Sequence, residues 1–374
     1  MNFSVEPGNI ESYGKLVKRA AEAMEAGESY LSKYAKVDES SSGEIWQKVV
    51  GLHGPRVQEA LGVIKKFSKI LTASSRELER SARYYRNTDR SQAERLDATY
   101  PEGSGVPAYS DPWTGSPSDF KDRTDAENRL KPPGGGDGYI QGHIDEFDFN
   151  PAMKTFGTLM DLTSPTALVA EGIKLAFGKD ILGGMSQWVA GDWESYLDCA
   201  DVWDNLASLC ADVSENVTHG NYTLSSTWSG NSADVAWDYF DAISSKLDEA
   251  QIAFESLRDK YIEIASSIFG LAELVKAGAA TLSDMAIQVA VTAAASSAAA
   301  TTGVGLVGTA LGAAVIAKRI FDMMDQYKKL LDAYDLALAG VSILYSAGST
   351  SMAATESGLK SFPVPGGSYD NASV

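Results

Sequence analysis

A chain of 374 residues, 44% of them hydrophobic, holds enough apolar material for one large domain or two small ones. Its 32 basic and 50 acidic residues leave a net charge of −18, which repels phosphate backbones and anionic lipid and argues against nucleic-acid binding by the chain as a whole. The three histidines are scattered and no CxxC or HExxH occurs, so neither a metal site nor a cofactor is expected.

The stretch Met1-Asn2-Phe3-Ser4-Val5-Glu6-Pro7-Gly8 has neither the basic start nor the apolar run of a cleavable Sec signal. The expectation is therefore a cytoplasmic protein, or one exported by a machine that reads a folded signal. Residues 1–90 read as a first helical hairpin. Asn9 is a suitable N-cap, and Ile10, Tyr13, Leu16, Val17, Ala20 and Met24 follow at helical spacing. The polar run 38–43 breaks the pattern. A second helix is expected from Gly54-Pro55, where proline suits a first helical position, with an upstream start near Ile45-Trp46 as the alternative. It keeps a seven-residue repeat through Val57, Ile64, Leu71, Leu78 and Tyr85, interleaved with Leu61, Ser68, Ser75 and Ala82. That 3-4 spacing is the seam of a long antiparallel helix.

Residues 91–150 carry Pro101, Pro107, Pro112, Pro117, Pro132, Pro133 and Gly134-Gly135-Gly136, and read as a linker, mobile or wrapped over the surface. Residues 151–275 are expected to hold short helices, one opening at Ser164-Pro165, and then a second long hairpin from about 191. Its first arm repeats Tyr196, Trp203, Cys210 and Val217, with Cys199, Leu206 and Val213 between them. Cys199 and Cys210 lie almost three turns apart on one helix, too far to bridge, so both read as small core hydrophobes. The second arm repeats Phe240, Leu247, Phe254, Tyr261 and Ile268. Strand signals are close to absent.

Residues 276–346 read as an Ala/Gly-rich helical hairpin. Met285 to Ala317 contains no charged residue and is long enough to span a bilayer, but its many small and polar residues favour a buried hairpin over membrane insertion. The Ser/Gly/Pro-rich tail, 347–374, is expected to be disordered. The predicted fold class is all-α: an elongated bundle of two long antiparallel hairpins extended by the C-terminal Ala-rich pair.

Two short motifs stand at corresponding places. Trp228-Ser229-Gly230 lies in the turn of one hairpin, and Tyr85-Arg86-Asn87-Thr88-Asp89 sits where the other runs out. On a continuous helix Tyr85 and Asp89 are one turn apart and face the same way. With this pairing the chain resembles the WXG superfamily of type VII (ESX) secretion substrates, especially its single-chain PE/PPE-like members, over roughly residues 9–90 and 190–275. The resemblance implies that Tyr85, Asp89, Trp228 and Gly230 form a composite export signal and that the protein is secreted. It further implies a secretion ATPase or export chaperone as partner, and a homo-oligomer. The 91–190 insert is long for that family, and 275–345 is more similar to the Ala-rich helices behind WXG hairpins in actinobacterial polymorphic toxins. A carrier module of such a toxin and a membrane-active effector are the rival readings.

Arg76, Arg80, Arg83, Arg86, Arg90 and Arg95 gather around the first motif in an otherwise acidic chain. They read either as a docking surface for an acidic partner or as a solvated helix end paired with Glu77, Glu79 and Glu94. No G-x-S-x-G, Walker loop or HExxH appears, so no catalytic residues are assigned and a non-enzymatic protein is expected.

Overall fold

A computed structural model describes residues 3–105, 119–134, 166–301 and 305–365. The fold is all-α, with a single two-stranded ribbon among the described residues. In chain order the elements are β1 (Ser4–Val5), α1 (Pro7–Tyr34), α2 (Glu44–Asn87), α3 (Arg90–Asp97), a 3-10 turn (Ala126–Arg129), α4 (Ala167–Phe177), α5 (Leu182–Val189), α6 (Trp193–Ser225), β2 (Trp228–Ser229), α7 (Asn231–Thr301) and α8 (Gly305–Lys360).

The heptad seams build a four-helix bundle. Ile64, Leu71, Leu78 and Tyr85 of α2 are buried, as are Tyr196, Trp203, Cys210 and Val217 of α6 and Phe240, Leu247, Phe254, Tyr261 and Ile268 of α7. The small residues of the α2 seam allow close approach: a Cβ on Gly14 would lie 3.3 Å from that of Leu78, and the Ser75 hydroxyl donates to the Gly14 carbonyl at 2.8 Å. The α1–α2 hairpin lies antiparallel along α6 and α7. Tyr13 donates to the Val217 carbonyl and Asn205 to the Tyr30 hydroxyl. Ser74 and Tyr239 bond through their hydroxyls. Cys199 and Cys210 are free, and burial pushes the Cys210 thiol up to about 12.

One pole of the bundle therefore gathers the start of α1, the end of α2 and the α6–α7 turn. At the other pole, Trp46 packs edge-on against Trp193 at 5.0 Å. There His53 meets the Tyr261 hydroxyl through Nδ1 at 2.6 Å, and burial lowers its pKa from the ordinary 6.5. The unfolded chain takes up a proton below pH 6.5 that the native state resists, so stability falls as pH drops through that range. His53→Gln is expected to remove much of the stability slope between about pH 5 and 7, read by thermal melts across pH; an unchanged slope would assign it to other groups.

Several boundaries differ from the sequence reading. The second helix starts at Glu44, as the upstream alternative near Ile45-Trp46 has it, and Pro55 lies inside it rather than at its first position. Gly51, four residues earlier, is exposed, so water can serve the carbonyl that the missing proline N–H leaves unbonded. No boundary falls at 275: α7 runs 71 residues, from the second hairpin into the Ala-rich region. The change there is compositional, with no helix breaker. The expected disordered tail is helical as far as Lys360, because Met352, Thr355 and Leu359 recur at helical spacing and are buried. Its end docks at the first pole, where the Tyr239 hydroxyl donates to the Pro363 carbonyl. Residues 366–374 lie outside the described residues.

Within the expected linker, residues 90–97 form α3, and 119–134 lie across α1 and α6. Arg19 grips Asp122 at 2.7 Å and 2.9 Å, and Arg129 binds the buried Asp212 at 2.6 Å. Pro107, Pro112 and Pro117 fall outside the described residues. The Ala-rich pair is formed by the distal part of α7 and by α8, which then runs back along α7 to the first pole. Past the bundle this pair is flanked by α4, where Gly172 packs against the Ala286 backbone. The expectation of a buried 285–317 hairpin holds for one face of the described residues and not for the other: Ala286, Val289 and Ala290 are buried, whereas Ile287, Val291 and Val315 are exposed, because beyond α4 the described residues supply no further element to cover the two arms.

Candidate functional site

The pole carrying both motifs is assembled from three chain segments. The N-terminal arm comes first: β1 pairs antiparallel with β2, Ser4 opposite Ser229 and Val5 opposite Trp228. The Glu6 amide donates to the Thr227 carbonyl at 3.1 Å. A strand formed only across the WxG turn leaves no period in the sequence, which is why none was expected.

Tyr85 is the last seam residue of α2. Its ring meets Trp228 edge-on at 6.0 Å and Phe3 at 6.0 Å. Both motif aromatics are interior, Tyr85 at 8% and Trp228 at 4% exposure. The Tyr85 hydroxyl bonds Ser232 at 3.0 Å, and burial raises its pKa to about 12. The tyrosine and the WxG tryptophan thus share one aromatic cluster.

Asp89 does not share it. The helix ends at Asn87, Thr88 is extended, and Asp89 is itself extended with φ −69° and ψ 156°. It serves as the N-cap of α3, accepting from the Gln92 amide at 3.0 Å and the Ser91 hydroxyl at 2.7 Å. These bonds, the Ser91 hydroxyl foremost, hold its carboxyl below the usual range. The expectation that Tyr85 and Asp89 point from one helical face is therefore corrected: the backbone turns between them, burying the ring and exposing the acid.

Gly230 has φ +128°, in the region that favours glycine. A Cβ there would fall 2.6 Å from the Asp97 carboxylate. Asp97, buried at the end of α3, accepts from the Asn231 amide at 3.0 Å, the Ser232 amide at 2.9 Å and the Ser232 hydroxyl at 2.7 Å. The start of α7 is thus capped from another helix. Nothing in the sequence links Asp97 to residues more than a hundred positions later. Asp234 follows in the same first turn, and burial raises its pKa.

The six arginines are all exposed, but they divide by contact. Arg86 binds Glu11 at 2.7 Å, tying α2 to α1 and drawing the Glu11 carboxyl down to about 2. Arg90 pairs with Glu94 at 2.9 Å and reaches the Phe3 carbonyl at 3.4 Å. Arg95 donates to the Ser91 carbonyl at 3.1 Å, and Arg80 pairs with Glu77 at 3.5 Å. Arg76 and Arg83, two turns apart on the outer face of α2, make no ion pair among the described residues. Of the pairings expected at a solvated helix end, Arg80 with Glu77 and Arg90 with Glu94 are present.

An open cleft of about 450 Å³ lies between the N-terminal arm, Tyr85, Thr88, Arg90, Ala93 and the 226–227 turn. Among the described residues no group of His, Cys, Asp or Glu side chains could hold a metal ion. The chain matches no protein family, no curated protein and no solved structure.

Proposed function

We propose that this protein is a non-enzymatic substrate of a type VII (ESX) secretion system, exported as a folded helical bundle and acting outside the cell by binding or self-assembly. What supports the reading is the meeting of the two motif aromatics, Tyr85 and Trp228, at one pole beside an exposed Asp89. The two rings and Gly230 shape the pole from within. Asp89, Arg86, Arg90 and the cleft form the part that a secretion ATPase or export chaperone can touch, and Arg76 and Arg83 extend a basic ridge along α2 toward an acidic partner.

Tyr85→Ala and Trp228→Ala remove core rings, so their retention in cells would not separate misfolding from loss of a signal. Asp89 offers the cleaner test. Serine keeps an N-cap oxygen while deleting the carboxylate, whereas alanine loses both. If the acid is read by the export machinery, Asp89→Ser and Asp89→Ala both accumulate in the producing cell while wild type appears in the culture supernatant. Secretion of Asp89→Ser at the wild-type level, with Asp89→Ala impaired, would reduce Asp89 to a structural cap and defeat the assignment.

A further inference from the structure

Beyond the bundle, α7 and α8 continue as a two-helix hairpin, running up to Thr301 and back from Gly305. From Met285 to Thr301 and from Gly305 to Ala317 neither arm carries a charge. At 1.5 Å per residue these stretches measure roughly 25 Å and 20 Å. Their described outer surface is apolar or small: Ile287, Val291 and Val315 are exposed, with Ala294, Ala295 and Ala314 beside them and Gln288 and Ser297 as polar exceptions. On the outer face of α2, by contrast, Lys69, Arg76, Arg80 and Arg83 face solvent.

A soluble helical hairpin normally keeps charges on its outward face. A hairpin that pairs with a second copy buries one stripe and stays charged elsewhere. Here the sides of both arms that α4 leaves open lack charge, and the surroundings that suit those sides are hydrocarbon. Both arms keep their backbone hydrogen bonds within a helix, as lipid requires. Their contact uses small residues: a Cβ on Gly312 would fall 2.0 Å from the Ser296 hydroxyl, the close approach by which helices pack in lipid. The uncharged α8 stretch ends at Lys318-Arg319, long cationic side chains suited to the headgroup level. The arms reach most of the way across a hydrocarbon layer of about 30 Å.

We propose that the distal ends of α7 and α8, Met285–Thr301 and Gly305–Ala317, insert together into a lipid bilayer, with Lys318 and Arg319 at the interface and the four-helix bundle left in water. This goes beyond the export reading and does not rest on it, since a protein retained in the cell would carry the same hairpin.

The test uses the full chain with vesicles of phosphatidylcholine, a neutral lipid chosen because the chain as a whole is acidic. Cys199 and Cys210 are buried, so an environment-sensitive dye can be placed at Val291→Cys, with Ile252→Cys, exposed on the bundle, as the reference. The expected result is flotation of wild type with the vesicles, a blue shift at position 291 and quenching there by brominated acyl chains, with no change at 252. Val291→Asp and Val315→Asp should each weaken vesicle binding by at least about tenfold while the far-UV circular dichroism stays that of wild type. Three outcomes would overturn the proposal: no flotation of wild type, an unchanged dye spectrum at position 291, or light scattering in which Val291→Asp converts a lipid-free dimer to monomer. The last would make the tip a contact between copies.

Discussion

Asp97→Ala is expected to lower stability by about 3 kcal/mol, because it strips three hydrogen bonds from a buried carboxylate and leaves the first amides of α7 without an acceptor. Hydrogen bonds to a charged group contribute roughly 1.5–3 kcal/mol each before the partners relax, and partial rehydration of a pole that borders an open cleft keeps the total well below their sum. Asp97→Asn retains one acceptor oxygen and should cost less than half as much. Denaturant titration of the three proteins measures the differences. A loss under about 1 kcal/mol for the alanine variant would mean that water replaces the carboxylate at little cost. The consequence reaches both motifs, since Asp97 also fills the space that Gly230 leaves open and binds the same Ser232 that holds Tyr85.

The second large effect lies at the opposite pole. Tyr345 of α8 is buried against Tyr261 at 5.8 Å and accepts the Tyr196 hydroxyl at 2.9 Å. Tyr196 and Tyr261 are themselves stacked at 4.4 Å. Through this contact α8 is locked to both arms of the second hairpin. Tyr345→Ala should cost about 4 kcal/mol, the usual toll of an aromatic truncated in a core, plus the orphaned Tyr196 hydroxyl. Tyr345→Phe isolates the hydroxyl and should cost about 1 kcal/mol. Hydrogen exchange is the informative readout: the amides of α8 after position 340 should lose protection in the alanine variant, while those of α1 and α2 keep theirs. Equal loss everywhere would show that α8 opens only with the whole bundle.

The bundle was legible because its seams repeat. Val57 to Tyr85, Tyr196 to Val217 and Phe240 to Ile268 each hold a seven-residue period that only a long, one-sided helix needs, and the seam cysteines fell into place with them. What periodicity does not carry was missed. The β1–β2 ribbon and the Asp97 cap join residues far apart in sequence, and no local pattern announces either. The last turns of α8 were hidden by serine and glycine, although Met352, Thr355 and Leu359 kept a helical face. At the motifs, the meeting of Tyr85 with Trp228 followed from hairpins folding back on each other. The fate of Asp89 did not, because a five-residue pattern looks the same whether its helix continues or stops at Asn87. The exposure of the Ala-rich tip escaped for a related reason: small residues are compatible with tight burial and with lipid alike, and composition does not say how many neighbours an element will have.

The 71 residues of α7 form one unbroken rod about 105 Å long, starting at the Asp97 cap and ending at the uncharged tip. Along the bundle it packs against α6 and α8 and is tied to α2 by side chains, but past Val275 it leans on α8 and the short α4. Such a beam is stiff at its root and compliant at its free end. A tilt of only about 3° where the clamp ends carries the tip sideways by roughly 2 Å, and the same tilt at the cap would carry it by more than twice that. The tip can therefore swing through several ångströms while the core that holds its root stays as it is.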